Sequence, residues 1–294
     1  MTYFLQQVVD GVSTGVIYAL LGLAMVLIFR ATGIINFAQG ELATIAAFFA
    51  WQLNLWGLPI WLAIAATAVI GFGAGAAIER VVIRPVANKD HFTLIMVTLG
   101  LFMITNAVTG LVWGYTIQAF PDPFPVAAWT VHGVSLSLAS VGTIVIVCVV
   151  GFLLYQLFHR TRLGLGMRAA ISNPESARLS GIDVGRMQMI GWGLAAMVGT
   201  LAGALAAPKL FLEPNMMLGV LTYAFAAVIV GGLDSPLGAV VGGLAIGVTE
   251  NLAGAYLYDF VGNDLKIAVP LALVFGILLV RPQGLFGRRA VARA

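Results

Sequence analysis

Residues 8–41 read VVDGVSTGVIYALLGLAMVLIFRATGIINFAQGE: an apolar run, a short polar connection and the start of a second run. The segment 8–29 is a nearly unbroken apolar run that ends at Arg30. At 1.5 Å per residue, a helix of this length crosses the roughly 30 Å hydrocarbon core of a bilayer. Beyond Arg30 the character changes, and polar Asn36, Gln39 and Glu41 introduce the next apolar segment. Long apolar runs joined by short polar connections continue to the end of the 294 residues. The composition agrees: 61% of residues are hydrophobic and 9% charged, against about 45–50% and about 25% in soluble domains. Mean hydropathy is +1.01. So much apolar surface cannot be hidden in water, which excludes a soluble enzyme and a disordered chain. The runs are continuous and do not alternate with polar residues, which disfavours a β-barrel. The expectation is an all-α, polytopic transmembrane bundle of about 8–10 spans, forming a single domain over 1–294.

Nine candidate spans follow: 8–29, 37–56, 59–79, 92–113, 136–158, 187–206, 217–232, 237–257 and 265–280. The second and seventh are the least regular, and a broken or re-entrant helix at either place requires protein or water around it. No Lys or Arg precedes Arg30, so the first segment is read as a retained anchor. Placing the loop 80–91 inside puts 13 of the 15 basic residues on that side and leaves Lys209 and Lys266 outside. By the positive-inside rule the N-terminus is then external and the C-terminus cytoplasmic. The net charge of +3 has the same origin and does not point to nucleic acid.

Two connections exceed a turn. Residues 114–135 carry Pro121, Pro123 and Pro125 at alternate positions, which stiffens an extended segment and excludes a helix there. Residues 159–186 carry five arginines. Within them a short helix is expected from Ser172 or Asn173, with Pro174 at its first position, Glu175 in its first turn and an end at Gly181. A solvated connector is the alternative, although Ala169, Ala170, Ile171, Ala177, Leu179 and Ile182 are more apolar than a free loop requires.

Glycine supplies 35 residues. Gly71, Gly73, Gly75, Gly191, Gly193, Gly199, Gly203, Gly238, Gly242 and Gly243 stand at helix-packing spacings, where small residues let backbones approach in lipid. The same glycines would also permit helix shifts in a gated pathway. The acidic residues singled out inside spans are Glu41 and Glu250. A carboxylate at mid-membrane costs on the order of 2.5–3.5 kcal/mol and therefore takes a partner or a wet cavity. For Glu41 a pair with Arg30 across the short connection is the structural option. Glu250, with Thr249 and Asn251 beside it, has a structural hydrogen bond or a place on the pathway open to it. Thr98, Thr105 and Asn106 face the same two options. The translocation-pathway candidates are Asn36, Gln39, Glu41, Asn106, Glu250 and Asn251.

Chemistry that would signal an enzyme or a self-powered pump is missing from the sequence. No lysine follows a glycine, so there is no phosphate-binding Gly-Lys-Ser/Thr loop. His-Glu-x-x-His is also lacking. The single Cys148 excludes an internal disulfide, and His91, His132 and His159 are too dispersed for a metal site. No arginine ladder marks a voltage sensor, and two isolated glutamates give thin support for proton relay. The energy for any passage is expected to come from elsewhere.

Four motifs carry a family resemblance. The first runs from Gly22 through Arg30, Asn36 and Gln39 to Glu41. The second runs from Gly164-Leu165-Gly166-Met167-Arg168-Ala169-Ala170 through Asn173-Pro174-Glu175-Ser176-Ala177 to Gly181-Ile182. The others are Val230-Gly231-Gly232-Leu233-Asp234-Ser235-Pro236-Leu237-Gly238-Ala239 and Arg281-Pro282-Gln283-Gly284-Leu285-Phe286-Gly287. In order and spacing they resemble the permease subunits of branched-chain amino acid ABC importers of the Liv type, specifically the shorter of the two paired permeases. The resemblance implies a type II-like importer architecture in a bacterial inner membrane. It also implies a second permease, two cytoplasmic ATPases that bind ATP and Mg, and an external substrate-binding protein; this chain itself would hold no cofactor. The loop 159–186 would be the coupling element, with Arg168, Ala169, Asn173, Pro174, Ala177, Gly181 and Ile182 at the ATPase contact. The implied solutes are branched-chain or related apolar amino acids, with amides and urea handled by relatives. A secondary transporter or channel working alone is the competing reading.

Overall fold

The computed structural model describes residues 2–131, 133–256 and 268–287. Eleven helices are found among them. They are α1 (Thr2–Thr32), α2 (Gln39–Leu55), α3 (Ile60–Ile78), α4 (His91–Trp113), α5 (Leu138–Arg160), α6 (Arg162–Ser172), α7 (Pro174–Leu179), α8 (Val184–Leu210), α9 (Met217–Gly231), α10 (Pro236–Tyr256) and α11 (Ala268–Val280). A small antiparallel hairpin, β1 (Ala128–Val131) with β2 (Val134–Ser137), precedes α5. Every expected span falls on one of the helices; position 257 of the eighth and 265–267 of the ninth lie outside the described residues, as do Lys266, Arg288, Arg289 and Arg293. Six helical segments are long and apolar enough to cross a membrane. The other three that match expected spans are α2 with 17 residues, α9 with 15 and α11 with 13. The connection 114–127 is free of helix, as its prolines require. The hairpin that follows it was not legible, because four-residue strands are too short to show a period.

Large apolar side chains point outward along the spans. Leu111 is 85% exposed, Met103 69% and Val69 68%. In water such a surface would drive aggregation, whereas in hydrocarbon it is the solvated one. By contrast, 83% of the apolar window of α1 is buried, so this helix is surrounded by protein.

The chain divides into two compact units. One comprises residues 1–26, 124–151 and 222–294, the other 27–123 and 152–221. In the first, α1 and α10 approach backbone to backbone. A Cβ on Gly11 would lie 2.6 Å from Val248 Cα, and one on Gly243 2.5 Å from the Ala19 nitrogen. The third and fourth motifs meet here: Leu285 N donates to Val230 O at 2.8 Å and Phe286 N to Gly231 O at 3.0 Å. Gly232 (φ 107°) and Gly284 (φ 78°) adopt the left-handed backbone that makes this junction possible.

In the second unit α8 packs along both α2 and α3. Gly71, Gly75 and Gly193 admit the α3–α8 contact, and Gly199 and Gly203 the α2–α8 contact. The glycine stripe thus serves close packing, except at Gly73, where nothing lies within 4 Å of an added Cβ. Between α1 and α2 the helix breaks at residues 33–38, with Gly33 at φ 71°. Ile34, Asn36 and Ala38 in this break are buried, in keeping with the rule that irregular backbone in a membrane protein is enclosed by protein.

Candidate functional site

Two places in the second unit carry the polar chemistry. The first is the helix break. Asn36 Oδ1 accepts from Ala38 N at 3.0 Å, and Asn36 Nδ2 donates to Gln39 Oε1 at 3.2 Å. Gln39 Nε2 then donates to the Ala195 carbonyl of α8 at 3.2 Å. The two amides thus satisfy backbone and side-chain groups that the missing helical turn leaves open. Glu41, 1% exposed, accepts from Asn106 Nδ2 of α4 at 3.1 Å. The same Asn106 amide reaches Asn215 Oδ1 at 3.0 Å and Pro214 O at 3.3 Å. Asn215 is exposed, so a polar ladder leads from the surface to the buried carboxylate. Asn215 had not been singled out, since an Asn in the connection between two spans gives no signal by itself. The contacts found for the proposed Arg30–Glu41 pair are different ones: Glu41 meets Asn106, and the Arg30 guanidinium lies 4.6 Å from the centroid of the Phe158 ring.

Glu250 and Asn251 belong to the first unit. Tyr18 Oη donates to Glu250 Oε2 at 2.6 Å, and the Tyr18 ring stacks on Tyr223 with centroids 5.0 Å apart. Asn251 Nδ2 donates back to Gly247 O at 3.2 Å. The six polar candidates therefore form two clusters, with Asn36, Gln39, Glu41 and Asn106 in one unit and Glu250 with Asn251 in the other.

The second place is the connection between α5 and α8, which is two helices where a loop with one short helix was expected. Thr161 caps α6 by accepting from Gly164 N at 3.1 Å. Asn173 caps α7, its Oδ1 accepting from Ser176 N at 3.0 Å, and Pro174 takes the first helical position as anticipated. Gly181 (φ 79°) ends α7, with Ile182 N donating back to Ala177 O at 2.9 Å. Asp183 caps α8, accepting from Arg186 N at 3.0 Å. The additional helix α6 was missed because its three glycine and arginine interruptions at Arg162, Gly164 and Gly166 read as loop.

Ala170, Ala177 and Val184 form a small core under these helices, with Ala169, Ile182 and Met187 packed against it. The seven residues at the expected ATPase contact therefore divide. Asn173, Pro174 and Gly181 are exposed, Arg168, Ala169 and Ile182 are half-buried, and Ala177 is buried. Leu165 on α6 and Leu179 on α7 are 60% and 91% exposed, and Arg162 and Arg178 on the same two helices are exposed as well.

One residue pair missed in the sequence ties this region to α3. After Ile78 the helix widens into a π turn, Glu79–Ile83. This brings Arg84, five residues on, over Glu79: the guanidinium bonds the carboxylate at 2.7 and 3.2 Å and donates to Gly185 O at 2.7 Å. Glu79 is 1% exposed. An α-helical reading sets residues five apart on different faces, which hides the pair. Arg84→Met should leave the Glu79 carboxylate buried and unpaired, at a cost of about 3–5 kcal/mol. The expected result is a large fall in unfolding temperature in detergent, mostly recovered in the double variant Arg84→Met/Glu79→Gln. Near this pair, Asp90 caps α4: Thr93 donates to it through its hydroxyl and its backbone N–H, holding the carboxyl below its ordinary range.

The arrangement defines a multi-pass membrane protein with a structured amphipathic extension and no group of metal-ligating side chains among the described residues. Residues 7–279 match the family model described as branched-chain amino acid transport system / permease component. The chain is 32% identical over 307 residues to the high-affinity branched-chain amino acid transport system permease protein LivH of Salmonella typhimurium, covering 99% of this chain and 98% of that protein. It is 28% identical over 308 residues to BraD of Pseudomonas aeruginosa, at the same coverage. The ribose import permease protein RbsC of Escherichia coli is 27% identical over 85% of this chain and 74% of its own length. Among solved structures, a chain of PsaBC from Streptococcus pneumoniae in complex with Fab has TM-score 0.50, 13% identity and coverage of 96% of this chain and 93% of that chain, a likeness of fold. The chain belongs to the branched-chain amino acid permease family of ABC transport systems. It is a transport permease subunit and not an enzyme.

Proposed function

We propose that this chain is one permease of an ATP-driven importer for branched-chain or related apolar amino acids, and that α6 and α7 couple it to cytoplasmic ATPases. The observation that carries the coupling role is the small Ala170–Ala177–Val184 core beneath an exposed leucine and arginine surface. Through Val184 and Met187 that core joins α6 and α7 to the start of α8, so they move as a body, and Arg84 attaches the start of α8 to α3. A push on α7 is thereby delivered to two spans. Coupling requires that the partner contact differ between two states, which a rigid lever can provide and a solvated loop cannot.

The whole chain acts as a single permease domain in this reading; α1, α5 and α9 each belong partly to both units. Its partners are a second permease, two ATPases that hold ATP and Mg, and an external binding protein that selects the solute. The N-terminus faces outward and the C-terminus the cytoplasm, as the distribution of basic residues supports. Copurification from the native membrane in mild detergent, followed by mass spectrometry, should recover two ATPase-type subunits and a second permease. Repeated recovery of the folded chain alone, with ATP-independent flux in vesicles, would replace this reading with a stand-alone transporter.

The polar pathway candidates are tested separately. Asn106→Ala strips the buried Glu41 carboxylate of its amide donor and should lower stability by about 3 kcal/mol. Glu41→Gln keeps an acceptor oxygen in place and should leave the unfolding temperature nearly unchanged. If Glu41 serves solute passage, uptake driven by ATP falls at least tenfold in Glu41→Gln; unchanged uptake makes its role purely structural.

A further inference from the structure

Two cavities in the second unit lie end to end on the same helices, one apolar and one polar. The apolar one, about 230 Å³, is a slot between α3 and α4 floored by α2 and α8. It runs along α3 from Thr67 to Ile78, about 16 Å at the helical rise. Its rim is formed by Phe49, Ile70, Ile104 and Val108, which are 42%, 51%, 63% and 41% exposed. Ile70, Ile104 and Val108 lie on helices long and apolar enough to cross a membrane and Phe49 on α2 beside them, so the slot opens sideways into hydrocarbon. The polar cavity, about 290 Å³, includes Glu79, Asn88, Lys89, His91 and Gln188 in its lining.

The two cavities share rows of the same helices. Gly71 and Gly75 line the slot, and Glu79 and Ile83, next on the same four-residue row of α3 and its π turn, line the polar cavity. On α8 the row Gln188, Ala196, Thr200 passes from the polar cavity to the slot in the same way. The apolar slot thus ends where a polar, basic pocket begins. Of the acidic groups there, Glu79 is taken up by Arg84 at 2.7 Å and Asp90 by the Thr93 cap at 2.6 Å. The remaining charge of the segment is basic: Arg80 and Lys89, both exposed, with His91 beside them.

We propose that this pair of cavities is a binding site for an anionic phospholipid, one acyl chain lying in the slot and the headgroup phosphate held by Lys89 and His91. The geometry matches the amphiphile part by part. A slot that opens to the bilayer with an apolar rim is entered by acyl chains, and a basic pocket at the cytoplasmic end of such a slot attracts anionic headgroups. Because the lipid would bridge α3, α4 and α8, it would brace the same α3–α8 junction that Arg84 ties.

The experiment uses the full-length chain in mild detergent, titrated with palmitoyl-oleoyl-phosphatidylglycerol or with the phosphatidylcholine of the same chains and read by native mass spectrometry. One phosphatidylglycerol should be retained in preference to phosphatidylcholine. Lys89→Gln should reduce that preference about tenfold while leaving phosphatidylcholine retention unchanged. Ala74→Phe, at an exposed position lining the slot, should abolish retention of both lipids with no loss of helical circular dichroism. Equal retention of the two lipids by the wild type, or an Ala74→Phe protein that still holds phosphatidylglycerol, would overturn the site. So would a lipid-free dimer cross-linked through Ile104→Cys, which would show that a second copy covers the slot.

Discussion

Replacing Ala177 with Glu is expected to abolish substrate-stimulated ATP hydrolysis and transport in the assembled system, but by an indirect route. Ala177 is 4% exposed and faces Ala170 and Val184. A carboxylate forced there either loses its water, at a cost of several kcal/mol, or pushes α7 away from α6 and α8. The coupling surface is then lost as a shape. Leu179→Asp provides the direct test, because Leu179 is 91% exposed and its replacement disturbs no packing. Leu179→Asp should keep the wild-type unfolding temperature and lower ATPase copurification at least tenfold. Full association and normal coupling in Leu179→Asp would remove α7 from the interface and leave Ala177 as a residue of structure alone.

Gly75→Leu and Gly73→Leu should differ as sharply as any two substitutions two residues apart on one helix. A Cβ on Gly75 would lie 2.5 Å from the Trp192 carbonyl oxygen and 2.7 Å from Ala196 Cβ. Those neighbours are the backbone and a small side chain of α8, so the helices must separate to admit any side chain. The expected cost is on the order of 3 kcal/mol, and a bulkier Leu also breaks the approach on which helix association in lipid depends. Gly75→Leu should therefore give little folded protein in detergent. At Gly73 nothing lies within 4 Å, and Gly73→Leu should fold with its unfolding temperature unchanged or slightly raised, since Leu favours helix over Gly by up to about 1 kcal/mol. Equal tolerance of both variants would refute the packing of α3 on α8.

These two cases mark how far the sequence could be read. The helices were legible because a span in lipid announces itself by length and composition alone, and the α7 start was legible because Asn173 and Pro174 act on the nearest backbone. The 159–186 connection was partly legible. Its cap, proline and terminal glycine were visible, but Ala177 and Leu179 both read simply as apolar. Which of them faces a core depends on Val184 and Ala170, contributed by other helices. Gly71, Gly73 and Gly75 are likewise equivalent as letters, and only the position of α8 separates them. For Glu41 the structural option was Arg30, its neighbour along the chain, whereas the amide that reaches it comes from Asn106, 65 residues away.

By itself, then, the sequence determined much that depends on the solvent and on local backbone: a membrane protein of many apolar helices, the caps and breaks of particular segments, and the motifs of its family. Tertiary structure alone decided which glycines are contacts, that Glu79 and Arg84 form a bidentate pair across a π turn, that the connection between α5 and α8 is two helices on a core shared with α8, and where polar groups in the spans find partners. The physical reason is range. Hydrophobic transfer and capping act within a few residues of the chain, whereas close packing and buried hydrogen bonds are satisfied by whichever atoms the fold brings within about 3 Å.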